Sequence, residues 1–277
     1  MKTISLEPIS YEDIQFMETK EYRRFAEFVQ ACSQYRYIGV CHGEPGVGKS
    51  LAATYYAQWD EEIWHENLRE EISEVVINKV KACKSVYWVA PVSNTPKIVD
   101  HHIRMRVSGY GRVFYKANGE NELNLLALEA HKACPLVIID EADRQGYNSL
   151  EQVRHWYDQW KFGLVLIGMP GIERRLSRYP QLYSRIGFSH EFCKLSKDEM
   201  RFIFERKWKE FGAIFNPDYF PDVEAVNAIM RITAGNFRLI ERLFSQIRRI
   251  SSINKLDRIT KEVVDAARDC LVIGHIA

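Results

Sequence analysis

Hydrophobic positions form short β-rich runs in the first two thirds of the chain, and these runs alternate with stretches of helical periodicity. Near the N-terminus, apolar side chains recur every three or four residues, which predicts an amphipathic helix over residues 20–33. Strands that alternate with helices are typical of an α/β protein with a parallel sheet. The five candidate strands are Tyr37–Cys41, Ser85–Ala90, Leu136–Asp140, Leu164–Gly168 and Ile186–Phe192.

From Ser196 onward the pattern is helical only. A further helix is predicted after Thr260, a candidate N-cap, with Glu262 in its first turn. We therefore expect a helical lead-in at 1–34, an α/β core at 35–194 and a small helical subdomain at 195–277. Two apolar faces support this subdomain, namely Val223, Val226, Ile229 and Met230 on one helix and Phe237, Ile240, Phe244 and Ile247 on the next.

Composition narrows the class of protein. A hydrophobic fraction of 46% and an aromatic share of 12% exclude a disordered chain. The net charge of +1 means that any nucleic-acid surface must be a local patch. The six cysteines lack paired ligand spacing, so we interpret them as reduced thiols. The chain shows no signal-peptide pattern and no apolar run long enough to span a bilayer, which predicts a cytoplasmic protein.

Residues 43–50 satisfy the P-loop pattern G-x-x-x-x-G-K-[ST] between a β-run and a helical pattern. Glycines let backbone N–H groups approach phosphate oxygens, and a helix that begins there adds its positive dipole end. Lys49 is expected to neutralise the β- and γ-phosphates of ATP, and the Ser50 hydroxyl to ligate Mg²⁺. The predicted nucleotide-binding residues are Gly43, Glu44, Pro45, Gly46, Val47, Gly48, Lys49, Ser50 and Leu51.

The buried β-run Leu136–Asp140 ends in two acidic residues, and the carboxyl ends of parallel strands lie at the ligand crevice. Asp140 fits the carboxylate that orients Mg²⁺, and Glu141 fits the residue that aligns or activates the attacking water. An apolar run followed by two acids is weak evidence alone. Together with the P-loop it predicts an ATP-hydrolysing site.

These motifs and the helical C-terminal part resemble the AAA+ ATPases, a P-loop family with a five-stranded, mainly parallel sheet and a helical lid. The segment 163–192, GLVLIGMPGIERRLSRYPQLYSRIGFSHEF, and the segment 233–244, TAGNFRLIERLF, are similar to the transposition-regulator branch that includes MuB, TnsC and TniB. The wider family includes the secretion ATPase ExeA. The resemblance extends from about Ala31 to Gly274.

The resemblance implies two further catalytic arginines. Arg185 matches the arginine finger that reaches the γ-phosphate of a neighbouring subunit, and Arg238 in Gly235–Arg238 matches the sensor-2 arginine of the lid. Arg174, Arg175 and Arg178 are alternative fingers. Met169 stands where many AAA+ proteins have a polar sensor-1 residue, so we expect hydrolysis to be slow, to need a substitute residue, or to depend on partners.

In this branch, ATP-bound subunits assemble as a hexamer or helical filament on double-stranded DNA, independently of sequence. The contacts come from basic residues between the second and third strands. Here residues 97–116 have a net charge of +4, because the segment contains five basic residues and one acidic residue, Asp100. The resemblance also implies a transposase and a TniQ-like target-selector protein as partners. The candidate phosphate contacts are Lys97, Arg104, Arg106, Arg112 and Lys116.

Other classes fit less well. The letters Asp140–Asp143 spell the DEAD box, but a helicase of that type needs two RecA-like domains, for which this chain has no room. A small-molecule kinase does not need an arginine from a second subunit. The main alternative is an ExeA-like ATPase that acts on a protein assembly without DNA. Binding to random-sequence DNA distinguishes that alternative from a transposition regulator.

Overall fold

A computed structural model describes residues 16–61, 63, 72–120, 128–211 and 215–271. Its sheet has five strands in the order β2-β3-β4-β1-β5, and all four pairings are parallel. This arrangement confirms the predicted α/β class. The strands are β1 (Ile38–His42), β2 (Val86–Val89), β3 (Leu136–Asp140), β4 (Gly163–Gly168) and β5 (Ile186–Glu191).

Burial along the strands follows their place in the sheet. β3 and β4 lie inside the sheet and are buried along their whole length, as expected for strands covered on both faces. β5 forms one edge, and its residues alternate between half-buried and exposed. The P-loop strand β1 lies between β4 and β5, so it is also buried over most of its length.

The helices follow the predicted alternation, and a second group of helices forms the C-terminal part. Those of the α/β part are α1 (Lys20–Tyr35), α2 (Lys49–Ala57), α3 (Glu74–Ala82), α4 (Pro96–Ala117), α5 (Tyr147–Trp160), α6 (Ile172–Leu176) and α7 (Pro180–Tyr183). The C-terminal helices are α8 (Lys197–Glu210), α9 (Phe220–Thr233), α10 (Phe237–Asn254) and α11 (Lys261–Asp269).

The chain divides into two compact units. One contains 22–44 and 49–192, and the other contains 1–21, 45–48 and 193–277. The P-loop tip, residues 45–48, therefore groups with the C-terminal helices, whereas the sequence-based division had placed it in the α/β core. That division remains a prediction.

The helical unit has an apolar core of its own. Trp208 and Phe204 of α8 pack around Phe244 of α10, with ring centroids 5.8 and 5.6 Å away. Ser196 caps α8, and the Glu199 carboxylate accepts a hydrogen bond from the Ser196 N–H, which completes a capping box. Thr260 does precede α11, but its hydroxyl makes no capping bond to the helix backbone. Within the described residues, every helix is too short or too polar to cross a bilayer.

Candidate active site

The P-loop begins where β1 ends. A Cβ at Gly43 would lie 2.4 Å from the carbonyl oxygen of Phe192, so only glycine fits beside this backbone. Further along the loop, Gly46 and Gly48 adopt φ angles of +81° and +114°, a region that L side chains rarely enter. The glycines of the motif are thus required by close packing and by backbone conformation.

Lys49 is the first residue of α2, and its ammonium lies against the loop backbone. It donates hydrogen bonds to the carbonyl oxygens of Gly43 at 2.6 Å and Glu44 at 2.9 Å. Ser50 follows with an exposed side chain, and Leu51 is half-buried. Glu44 and Pro45 are exposed, while Val47 is buried and anchors the loop. The helix start, the ammonium and the glycine-rich backbone suit a polyphosphate.

Asp140 is the last residue of β3 and is buried. Its Oδ1 accepts a hydrogen bond from the Glu141 N–H at 2.8 Å, and its Oδ2 accepts one from the Tyr87 hydroxyl at 3.0 Å. Burial, followed by the charge of Asp140, raises the pKa of Tyr87, so this hydroxyl stays protonated and donates. A buried carboxylate held at both oxygens is a fixed oxygen ligand, which fits the donor set that Mg²⁺ prefers.

Glu141 lies just beyond the strand in a left-handed backbone conformation, with φ of 51°. This conformation is uncommon for a residue with a Cβ and is often found at functional sites. The Glu141 carboxylate forms an ion pair with Arg144, whose Nη1 also donates to the Ala90 carbonyl oxygen at 2.9 Å. Arg144 therefore fixes the position of the candidate base relative to the end of β2.

The sensor-1 position lies at the end of β4. The Met169 side chain is 40% exposed, and its N–H donates to Asp143 Oδ1 at 3.0 Å. Arg175 donates two hydrogen bonds, to the carbonyl oxygens of Asp143 and Gln145. Asp143 is thus held beside Met169 by the Met169 N–H, and Arg175 holds the turn that carries Asp143.

Arg185 precedes β5, and its guanidinium is engaged within the subunit. Its Nε donates to Asp158 Oδ1 at 2.7 Å, and Asp158 also pairs with Arg154. Of the alternative fingers, Arg175 is committed to the turn described above, while Arg174 and Arg178 are exposed. Arg238 lies in the first turn of α10 and is exposed.

The basic residues of 97–116 lie on α4, and four of them share a side of it. Steps of seven and eight residues bring Lys97, Arg104 and Arg112 to one face, and Lys116 follows one turn later. Arg106 points the other way, is buried and pairs with Glu61 at 3.1 Å. The prediction that Arg106 contacts DNA therefore finds no support in the structure. We name the remaining four residues the α4 basic face.

Two aromatic side chains of α4, Tyr110 and Phe114, belong to the core. Tyr110 is buried, and Phe114 packs against the same cluster. The Arg104 guanidinium lies 5.9 Å from the centroid of the Trp156 ring, a cation–π distance that keeps it near the helix surface.

Comparison with known proteins also indicates an ATP-binding protein. Residues 32–176 match the AAA domain family. The chain is 44% identical to a potential ATP-binding protein of Staphylococcus aureus, over 94% of this chain and 97% of that protein. It is 25% identical to the ATP-dependent target DNA activator B of Escherichia phage Mu, over 69% of this chain. The match spans 56% of the phage protein.

Solved structures show the same fold. The RuvB Holliday junction branch migration motor of Thermotoga maritima superposes with a TM-score of 0.57 at 15% identity, over 96% of this chain and 73% of that one. The Aeropyrum pernix ORC1 protein, solved in complex with DNA, superposes with a TM-score of 0.59 at 18% identity, over 94% and 67%. With its P-loop, its two adjacent acids at the end of β3 and its parallel five-stranded sheet, the chain belongs to the AAA domain family of P-loop ATPases.

Proposed function

We propose that this protein is an ATP-hydrolysing regulator of DNA transposition that assembles on duplex DNA with ATP bound and leaves it after hydrolysis. The observation that carries the proposal is its similarity to the target DNA activator of phage Mu over 69% of the chain. The α4 basic face, on the unit that also holds Lys49 and Asp140, agrees with it.

The residues of the site divide the chemistry among them. The loop backbone and Lys49 bind the phosphates, while the Glu141 carboxylate accepts a proton from the attacking water. Ser50 and Asp140 would hold Mg²⁺, which supplies positive charge to the β- and γ-phosphates when bound. Asp143, fixed by the Met169 N–H, is the polar group placed to substitute at the sensor-1 position.

Binding to DNA depends on assembly in this proposal. One subunit offers only a few phosphate contacts, so a single copy binds weakly. An array of subunits on one duplex adds these contacts together, and its avidity rises steeply. Nucleotide held between subunits then controls whether the array persists, and the transposase and target-selector protein would act on the assembled form.

The proposal is tested by binding to random-sequence duplex DNA with ATP, with ADP and without nucleotide, measured by mobility shift and negative-stain imaging. We expect binding with ATP only, accompanied by helical or ring-shaped particles. Absence of DNA binding in every nucleotide state, with ATP binding intact, would reject the transposition role. It would favour the ExeA-like alternative, in which the ATPase acts on a protein assembly.

Reversing charge on the α4 basic face is expected to weaken ATP-dependent DNA binding. In Lys97→Glu with Arg104→Glu, two phosphate contacts are lost, so the negative slope of log K against log salt should become shallower by about 0.9 per lost contact. The matched control is Lys132→Glu, a change at an exposed lysine that pairs locally with Glu129. An unchanged salt slope in the double variant would remove α4 from the DNA interface.

Mixing two inactive variants tests whether Arg185 acts on a neighbouring subunit. Arg185→Ala and Glu141→Gln should each hydrolyse ATP poorly alone. Mixed subunits should regain activity. The Arg185→Ala subunit keeps Glu141 in its own site, and a neighbouring Glu141→Gln subunit supplies Arg185 to that site. Arg178→Ala, at the exposed alternative finger, is the comparison variant and should retain its rate if Arg185 is the finger. A mixture no faster than its components would place the catalytic arginine elsewhere.

A further inference from the structure

The first turn of α10 is hydrogen-bonded directly to the tip of the P-loop. The side-chain Nδ2 of Asn236 donates to the carbonyl oxygen of Pro45 at 2.9 Å. Two residues on, the backbone N–H of Arg238 donates to the carbonyl oxygen of Gly46, also at 2.9 Å. Two successive peptide groups of the loop are therefore held by α10.

Holding these carbonyl groups fixes which way the loop amides face. In a trans peptide, the carbonyl oxygen and the following N–H point to opposite sides of the bond. The bonds from Asn236 and Arg238 therefore turn the N–H groups of Gly46 and Val47 away from α10. Backbone N–H groups of a P-loop are the donors that cradle phosphates, so their direction matters for nucleotide binding.

The fit at this contact is close. A Cβ on Gly46 would lie 2.6 Å from Asn236 Oδ1 and 2.9 Å from the Cβ of Arg238. Glycine is therefore required at position 46 for two reasons, namely the positive φ angle and the close approach of α10. The contact joins residues 191 positions apart in sequence.

Asn236 performs two tasks with the two ends of its amide. Its Oδ1 accepts the hydrogen bond from the Leu239 N–H at 3.2 Å, which caps α10. Its Nδ2 makes the bond to Pro45. Aspartate or serine can cap a helix in the same way, but neither offers an amide donor to the loop. The capping task and the loop task can therefore be separated by substitution.

We propose that Asn236 is a positioning residue for ATP, a proposal that rests on the ATP-binding function above. Its amide orients the P-loop for the phosphates and ties the loop to the helix that carries Arg238. A change in the position of α10 is thereby transmitted to the loop backbone, independently of any contact that the Arg238 side chain makes.

The test compares Asn236→Ser and Asn236→Asp with Ser196→Ala. Both Asn236 variants keep an N-cap acceptor, whereas Ser196→Ala removes the cap of α8 and touches no loop residue. ATP affinity is measured by titration of a fluorescent ATP analogue, and thermal unfolding is followed without nucleotide. Hydrogen exchange of residues 43–50, also without nucleotide, reports on the loop itself.

We expect Asn236→Ser to bind ATP about three- to tenfold more weakly, the effect of one lost hydrogen bond. Asn236→Asp should bind still more weakly, because its carboxylate faces the Pro45 carbonyl oxygen. Both should show faster exchange in the loop at a nearly unchanged unfolding midpoint. Ser196→Ala should lower the midpoint and leave ATP affinity unchanged.

Two results would overturn the proposal. One is native-like ATP affinity and loop exchange in both Asn236 variants, and the other is an equal loss of affinity in Ser196→Ala. If the unaltered protein failed to bind ATP, the proposed function would fall. Unchanged exchange of the loop in the Asn236 variants would then separately reject the positioning role.

Discussion

Replacing Glu141 with glutamine is expected to slow ATP hydrolysis by about 100-fold or more, while ATP affinity changes little. A positioned general base contributes about 10²–10⁴-fold, and an amide of the same shape cannot accept the proton of the attacking water. The phosphate-binding residues are untouched by this change. The measurement is a steady-state phosphate-release assay beside a nucleotide titration.

The geometry around Glu141 supports this expectation. The residue adopts a left-handed backbone conformation, and its carboxylate is paired with Arg144. Glutamine keeps the size of the side chain but weakens that pair, so Arg144→Gln is a necessary companion variant. If the carboxylate itself is the base, Arg144→Gln should lose much less activity than Glu141→Gln.

A control variant changes a different carboxylate, that of Glu129. Glu129 precedes the 3₁₀ segment Ala130–Ala133 and pairs with Lys132 at 2.6 Å, so Glu129→Gln alters a carboxylate that is not among the candidate site residues. It should hydrolyse ATP at the native rate. Retention of more than about a tenth of the activity in Glu141→Gln would transfer the base role to another group, since a base worth at least 10²-fold would then be excluded.

The second large effect is expected for Lys49→Ala, which should weaken ATP binding by about two orders of magnitude. The ammonium is the positive charge fixed at the start of α2 by the Gly43 and Glu44 carbonyl oxygens. Removing a positioned charge from a polar site costs about 2–5 kcal/mol, and each 1.4 kcal/mol is tenfold in affinity.

Ligand-induced stabilisation provides the measurement. A ligand that binds only the folded state raises the unfolding free energy by RT ln(1 + [L]/Kd). ATP at about 100 times its Kd should therefore stabilise the native protein by about 2.7 kcal/mol and raise its unfolding temperature. Lys49→Ala should show almost no shift, whereas Lys132→Ala should shift like the native protein. A normal shift in Lys49→Ala would contradict the assigned site.

The strands could be predicted from sequence because they are apolar runs bounded by polar turns. Leu136–Asp140 is reproduced as β3, and the predicted run Leu164–Gly168 lacks only Gly163 of β4. The P-loop could also be predicted from sequence, since the backbone conformation of the loop itself requires glycines within a short motif. Asp140 and Glu141 followed from their place after a buried strand.

Contacts that depend on tertiary structure could not be predicted in this way. The bond from Tyr87 to Asp140 requires the β2–β3 register, in which Tyr87 lies beside Ile138. The burial of Arg106 depends on which side of α4 faces the core. Helical spacing alone could have indicated this, because Arg106 follows Arg104 by only two positions and therefore lies on the opposite face of the helix. A count of charges along the segment ignores that difference.

The strand order has a consequence for how the chain folds during synthesis. Ile38 of β1 pairs with Leu164 of β4 and with Ile186 of β5, both far later in the sequence. At about 5–20 residues per second, the ribosome needs on the order of ten seconds to reach them. Until β4 has been synthesised β1 has no partner on either edge, and until β5 follows, the turn that Gly43 makes beside Phe192 cannot form. ATP can therefore act as a folding ligand only after β5 has emerged, and nascent chains that end before β5 carry an apolar strand open to aggregation.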